Sequence, residues 1–167
     1  MKPDGDAVFV YGLLMLPEVV YAITGKHYVM QHASLFDHKR YGLQQYPADT
    51  PIPALAYCSG HLQHGQVLLG VLPDELARLD FFEELDSGLY LRQQVRVQSE
   101  GVWLDAWCYV VGPVLEPYLA GEWSLQQVSA GHKEHLITQL IPSMLTTYHN
   151  LHADTGTKTK ANPLSED

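Results

Sequence analysis

Four acids fall within seven residues in Asp80-Phe81-Phe82-Glu83-Glu84-Leu85-Asp86, and the aromatic Tyr90 follows shortly after. A carboxyl group held against aromatic rings loses hydration, its pKa rises, and it becomes able to exchange protons near neutrality. Three of these acids are free to stay solvated while one packs against Phe82 and Tyr90. The competing reading is a helix terminus decorated with ordinary surface acids, and composition alone leaves both open.

Two other groups of residues invite chemistry and are weaker. His61/His64, His132/His135 and His149/His152 share a three-residue spacing that on a helix places both imidazoles on one face. A metal site needs three or four converging ligands, yet His135 and His149 stand about 21 Å apart along an unbroken helix at 1.5 Å per residue. No Cys pair or HExxH accompanies them, so solvated or capping histidines are expected and no metal or other cofactor is called for. Cys58 and Cys108 could each pair with a His as a thiol nucleophile. Both lie in apparent strands, where a reduced cysteine behaves as a small buried hydrophobe.

The acids must be positioned by short elements. Ala7 to Tyr11 reads as a buried first strand stopped by Gly12, and Pro17 to Thr24 as a short helix with Pro and Glu in its first turn and Gly25 as its stop. Residues 33–43, 52–58 and 66–72 read as further strands, with a proline-set loop over 46–53. Pro73 to Phe82 reads as an amphipathic helix, with Leu76, Leu79 and Phe82 at three-residue spacing. Alternation then marks strands at 91–98 and 102–111, the second with Leu104, Ala106, Cys108 and Val110 on one face. A helical stripe runs from 130 to 152 with Pro142 inside it, where a kink or break is expected. The fold class is therefore α+β: about six strands, flanking helices and a C-terminal helix. One domain over 1–152 is expected, followed by a polar, disordered tail over 153–167.

Composition removes several function classes. The 167 residues carry ten Lys and Arg against nineteen Asp and Glu, a net charge of −9, which repels phosphate backbones and anionic lipid. No nucleic-acid partner is expected. The apolar run from Ala7 to Leu16 is too short to span a bilayer, and Lys2 is outnumbered by Asp4 and Asp6, the wrong sign for a signal peptide. With two cysteines and no export or membrane signal, the expected location is cytoplasmic.

Val8-Phe-Val-Tyr-Gly12, Tyr46-Pro-Ala48, Gly65-Gln-Val-Leu-Leu-Gly70, Leu79-Asp-x-Phe-Glu83 with Tyr90 and Arg92, and Gly121-Glu-Trp123 occur in that order. The ordered set resembles the gamma-glutamylcyclotransferase superfamily, most closely its plant avirulence-induced branch, from about residue 8 to 145. The resemblance implies a small, mixed, closed or nearly closed β-barrel with a ligand pocket at one mouth. It also implies an enzyme cyclising a small-molecule gamma-glutamyl amine or peptide to 5-oxoproline. Carried over, the acid–base residue is Glu83, and the substrate loop is Tyr11, Gly12, Leu13, Leu14, Met15 and Leu16, gripping through backbone amides. Tyr90 is a further wall of the pocket, and Tyr11 and Tyr90 either pack or donate hydroxyls. Two positions depart from the family: Leu13 replaces the usual Ser or Thr, and Glu84 stands where Gly or Asp is common. The missing hydroxyl at Leu13 favours the alternative, a non-catalytic protein binding a small metabolite or partner segment on the same fold. Oligomeric state and the particular substrate are not encoded in any of these features.

Overall fold

A computed structural model of the chain describes residues 5–157. Five strands form a closed barrel in the order β1 (Asp6–Val10), β3 (Ala54–Val71), β2 (Val29–Tyr41), β4 (Tyr90–Ser99), β5 (Val102–Val111). Every neighbouring pair is antiparallel except β1 and β5, whose parallel pairing closes the ring. The helices are α1 (Pro17–Thr24), α2 (Pro73–Phe82), α3 (Ala130–His135) and α4 (Ile141–Thr157).

The expected six strands become five because 52–58 and 66–72 are parts of one strand, β3. The intervening Ser-Gly-His-Leu-Gln-His-Gly reads as a break because it has two glycines and few apolar residues. It is instead the partly exposed middle of a long strand hairpinned with β2, which also starts earlier than expected, at Val29. The register of that hairpin shifts between Phe36 and His38, where Asp37 and Gly60 both take positive φ and the Gly60 amide donates to Asp37 Oδ1 at 2.9 Å. A shift of this kind twists the strands locally. The β4–β5 turn is the two-residue Glu100-Gly101, both at positive φ, which suits the right-handed twist of its strands.

Strand alternation separates two apolar layers. Phe9, Ala33, Leu35, Leu55, Val67, Val95, Val97, Ala106 and Cys108 fill the barrel, while Val8, Val10, Leu68 and Val71 face outward into the helical layer. There they meet Val19, Val20 and Ile23 of α1, Leu76 and Leu79 of α2, and Ile141 of α4. Chain direction is set by local signals: Pro17 and Pro73 open α1 and α2, and Gly25 at φ 77° closes α1 with its amide on the Tyr21 carbonyl. The Glu75 carboxylate reaches back to the Leu72 amide at 2.9 Å.

At Pro142, where a kink or break is expected, the helix continues and a wide turn precedes the proline instead. Residues Leu136–Leu140 are π-helical, and the Ile141 amide bonds the Leu136 carbonyl five residues back. The widened turn precedes a proline that has no amide to offer. Helix α4 runs to Thr157, so the boundary drawn at 152/153 falls within it, and the rest of the tail, 158–167, lies outside the described residues.

Gly65 shows why small residues recur in the barrel motif: a Cβ there would sit 2.4 Å from the Val10 carbonyl oxygen and 2.8 Å from the Phe9 ring. Gly65→Ala should cost about 2 kcal/mol by forcing β1 away from β3. Urea denaturation checks this, and an unchanged midpoint would show that the contact yields without strain.

Candidate active site

At one mouth of the barrel a cavity of about 200 Å³ lies between the end of β1, the 46–53 loop, the end of α2 and the π-helical turn. Tyr11, Gly12, Leu13, Leu14, Glu83 and Tyr90 all line it. Met15 and Leu16 do not, which narrows the loop expected from sequence. Their amides close the short 3-10 turn at Leu13–Met15, Met15 onto the Gly12 carbonyl at 2.9 Å and Leu16 onto the Leu13 carbonyl at 3.0 Å. The amides of Gly12, Leu13 and Leu14 precede the first bond of that turn and have no acceptor among the described residues. Gly12 is required there, since a Cβ would meet Pro53 Cγ at 2.8 Å.

Glu83 owes its place to how α2 ends. Its own amide bonds Leu79, the Glu84 amide bonds Phe81 at 3.1 Å, and the Leu85 amide reaches Asp80 at 3.4 Å. This double closure is a Schellman motif, whose next residue adopts the left-handed conformation, and Glu84 does so at φ 52°. Glycine suits that position best, so the departure at Glu84 carries backbone strain.

The acids divide differently from the expectation. Glu84 and Asp86 are exposed, but Asp80 is bound: it accepts the Tyr109 hydroxyl at 2.7 Å and lies 3.0 Å from Arg92 Nε. The Arg92 contact is an ion pair off the axis of a hydrogen bond, and the guanidinium stacks 4.2 Å above the Trp107 ring. Glu83 is half-buried and lines the cavity, and no cation pairs with it among the described residues. Burial, then the neighbouring charges of Glu84 and Asp80, push its carboxyl up to about 8.

Both tyrosines wall the cavity with their hydroxyls already committed. Tyr11 donates to the Tyr109 carbonyl and Tyr90 to the Pro53 carbonyl at 2.7 Å. Burial raises both phenols well above their ordinary range, so they remain neutral donors. Arg40 donates to the Tyr11 carbonyl at 2.8 Å from outside the cavity. A continuous set of bonds thus ties α2, through Asp80 and Tyr109, to Tyr11 and the Gly12 turn.

The thiols and histidines lie elsewhere. Cys108 is sealed in the barrel, its thiol pushed far up by burial, while Cys58 is only half-buried in β3 rather than sealed as expected; neither lines the cavity. His132 caps α3, exchanging bonds with Ser129, and His152 bonds the Tyr148 carbonyl at 2.9 Å. No group of three or more His, Cys, Asp or Glu residues able to hold a metal occurs among the described residues.

Sequence reasoning missed much of the lining: Thr50 and its loop neighbours, Tyr109, and Leu136 with Leu140 from the π-helical turn. The Tyr46-Pro-Ala48 motif pointed to the loop. Nothing local flagged the two leucines, which reach the cavity only because the helix widens before Pro142.

This constellation, a mixed barrel whose mouth joins a glycine turn to one desolvated carboxyl, defines a class of small α+β barrel proteins with a metabolite-sized site. The chain belongs to the family described as "Gamma-glutamyl cyclotransferase, AIG2-like", whose model matches residues 8–125. It is 32% identical over 131 residues to AIG2-like protein D of Arabidopsis thaliana, covering 77% of this chain and 82% of the relative. To AIG2-like protein C of the same plant it is 34% identical over 137 residues, 78% and 73% of the two chains. In fold it is similar to the solution structure of an Arabidopsis thaliana protein, with a TM-score of 0.61 at 24% identity over 99% and 97% of the chains. It is also similar to a solved gamma-glutamyl cyclotransferase, with a TM-score of 0.58 at 18% identity over 80% and 98% of the chains.

A carboxyl whose folded pKa is raised binds a proton that the unfolded chain has already lost, so its contribution to stability is complete below the ordinary value near 4.5 and is lost as pH rises through about 8. Glu83→Gln should therefore leave stability near its wild-type value at pH 4 and raise it at pH 9. Urea unfolding at the two pH values checks this; an equal difference at both would show that the carboxyl is not desolvated. Glu84→Gly should add about 1 kcal/mol by relieving the left-handed backbone, measured the same way.

Proposed function

We propose that the protein is a cytoplasmic gamma-glutamylcyclotransferase, converting a small gamma-glutamyl amine or peptide to 5-oxoproline and the free amine. The observation carrying this reading is Glu83, a carboxyl without a cation partner among the described residues and raised to about 8, which lines the same cavity as Gly12, Leu13 and Leu14 with their uncommitted amides.

The reaction asks for little beyond those parts. The α-amine of the glutamyl group attacks its own γ-carbonyl, so the nucleophile is tethered and needs folding back rather than capture. Such orientation is worth about 7 to 11 kcal/mol. One proton leaves the attacking nitrogen and one arrives on the departing nitrogen as the C–N bond breaks, so a single carboxylate accepting and returning it balances the step. An α-amine has an ordinary pKa of about 7.7 to 8.0, and a carboxyl raised to about 8 matches it. Proton exchange between them is then nearly isoenergetic, the condition in which general acid–base catalysis works best. The free amides supply donors for the oxyanion on the γ-carbonyl and for the α-carboxylate. No metal or covalent intermediate is required by this chemistry.

The second reading, a non-catalytic small-metabolite or partner-binding protein, rests on Leu13, which lines the cavity with hydrocarbon where the family usually has a hydroxyl. Incubation with a panel of gamma-glutamyl amines and peptides, following 5-oxoproline, separates the two. Turnover by the wild-type protein and a loss of at least about 100-fold in folded Glu83→Gln is the expected result. A folded variant that retains activity would remove Glu83 from the chemistry, and ligand binding without turnover in the wild type would favour the binder.

A further inference from the structure

The cavity has an unusual balance of polar groups. Its acids are Glu83, Glu84 and Asp49, and no Lys, Arg or His lines it. The hydroxyls of Tyr11, Tyr90 and Tyr109 are each already donated to a protein oxygen. Apart from the Glu83 carboxyl itself, the remaining lining side chain with a hydrogen to donate, among the described residues, is Thr50. Thr50 is only 5% exposed, and its Oγ1, itself buried, has no hydrogen-bond partner among the described residues. Leaving a buried hydroxyl unpaired costs about 1 to 3 kcal/mol, which makes the position expensive unless something else completes it.

The loop around Thr50 is pinned rather than slack. Thr50 precedes Pro51, which restricts its backbone to extended conformations. The Pro51 carbonyl accepts the Trp123 indole N–H at 3.1 Å, and the Pro53 carbonyl accepts the Tyr90 hydroxyl at 2.7 Å. Threonine's methyl and hydroxyl occupy similar volumes, so a turn about Cα–Cβ exchanges them without moving this backbone.

We propose that the Thr50 hydroxyl is the side-chain donor that holds the carboxylate of the substrate's glutamyl head, completing with the Gly12–Leu14 amides an anion site that contains no cationic side chain. This rests on the gamma-glutamyl reading above and extends it to a residue on a different loop. It also accounts for Leu13: the side-chain donor comes from the 46–53 loop, and the turn contributes its backbone amides alone.

The proposal separates binding from folding. Thr50→Val keeps the shape and deletes the donor, while Thr50→Ser keeps the donor. In Thr50→Val, KM for a gamma-glutamyl substrate and Kd for the product 5-oxoproline should rise about 10- to 100-fold, the range for a hydrogen bond to a charged group, with kcat changed far less. Thr50→Ser should stay within a few-fold of wild type. Without ligand, Thr50→Val should melt no lower than wild type, since it removes an unsatisfied buried group. Wild-type-like KM and Kd in Thr50→Val would overturn the assignment. So would a lowered melting temperature with equal losses in both variants, which marks a side chain needed for packing rather than for its donor. Wild-type protein that neither turns over gamma-glutamyl compounds nor binds 5-oxoproline would overturn the glutamyl reading itself, and this proposal with it. That failure is seen in the unaltered protein and is distinct from the first two.

Discussion

Withholding water from one carboxyl is the constraint on which the rest of the structure turns. Glu83 caps the C-terminal end of α2, where the helix dipole already disfavours negative charge, and two further acids stand on either side of it in sequence. A free glutamate would escape such a place by turning into solvent. Here the barrel mouth, the 46–53 loop and the π-helical turn enclose it, so the group resolves the conflict by holding its proton more tightly. Asp80 shows the alternative resolution one helical turn away. With the Tyr109 hydroxyl and Arg92 against it, the same kind of side chain becomes a fixed structural link. Two similar residues acquire different roles because their partners differ.

The closed barrel makes this enclosure possible. Phe9 and Tyr11 alternate with Val8 and Val10, so one short strand supports the barrel interior and the helical layer while its end delivers the Gly12 turn to the cavity. The Tyr11–Tyr109–Asp80 bonds then fix that turn relative to α2. The cavity accepts strain in exchange: a left-handed Glu84, an unpaired Thr50 hydroxyl and a desolvated acid each lower stability, and they cluster in one place. Such clustering is expected where a protein is shaped for a ligand rather than for its own stability alone.

Period and punctuation made much of this legible in the sequence. Pro17, Gly25 and Pro73 bounded their helices, and the alternation through Val95, Val97, Ala106 and Cys108 gave the barrel strands their inner face. The family resemblance placed Glu83 and the glycine turn together. What escaped was whatever depends on distant parts of the chain meeting. The polar stretch 59–65 stays in a strand because β2 pairs with it, and no local preference could overrule its glycines. Leu136 and Leu140 reach the cavity through a change of helical pitch before Pro142. Met15 and Leu16 resemble loop donors in sequence but spend their amides within the turn. Asp80 looked like a surface acid because its partners, Tyr109 and Arg92, lie on two strands further along the chain.

The most direct measurement of the central claim is the titration of Glu83 itself, followed through the carbon-13 shift of its side-chain carboxyl in labelled wild-type protein and assigned by its absence in Glu83→Gln. The account predicts an inflection near 8, well separated from the exposed acids. An inflection near the ordinary 4.5 would mean that water reaches the carboxyl freely, and the proton exchange proposed for it would lose its physical basis.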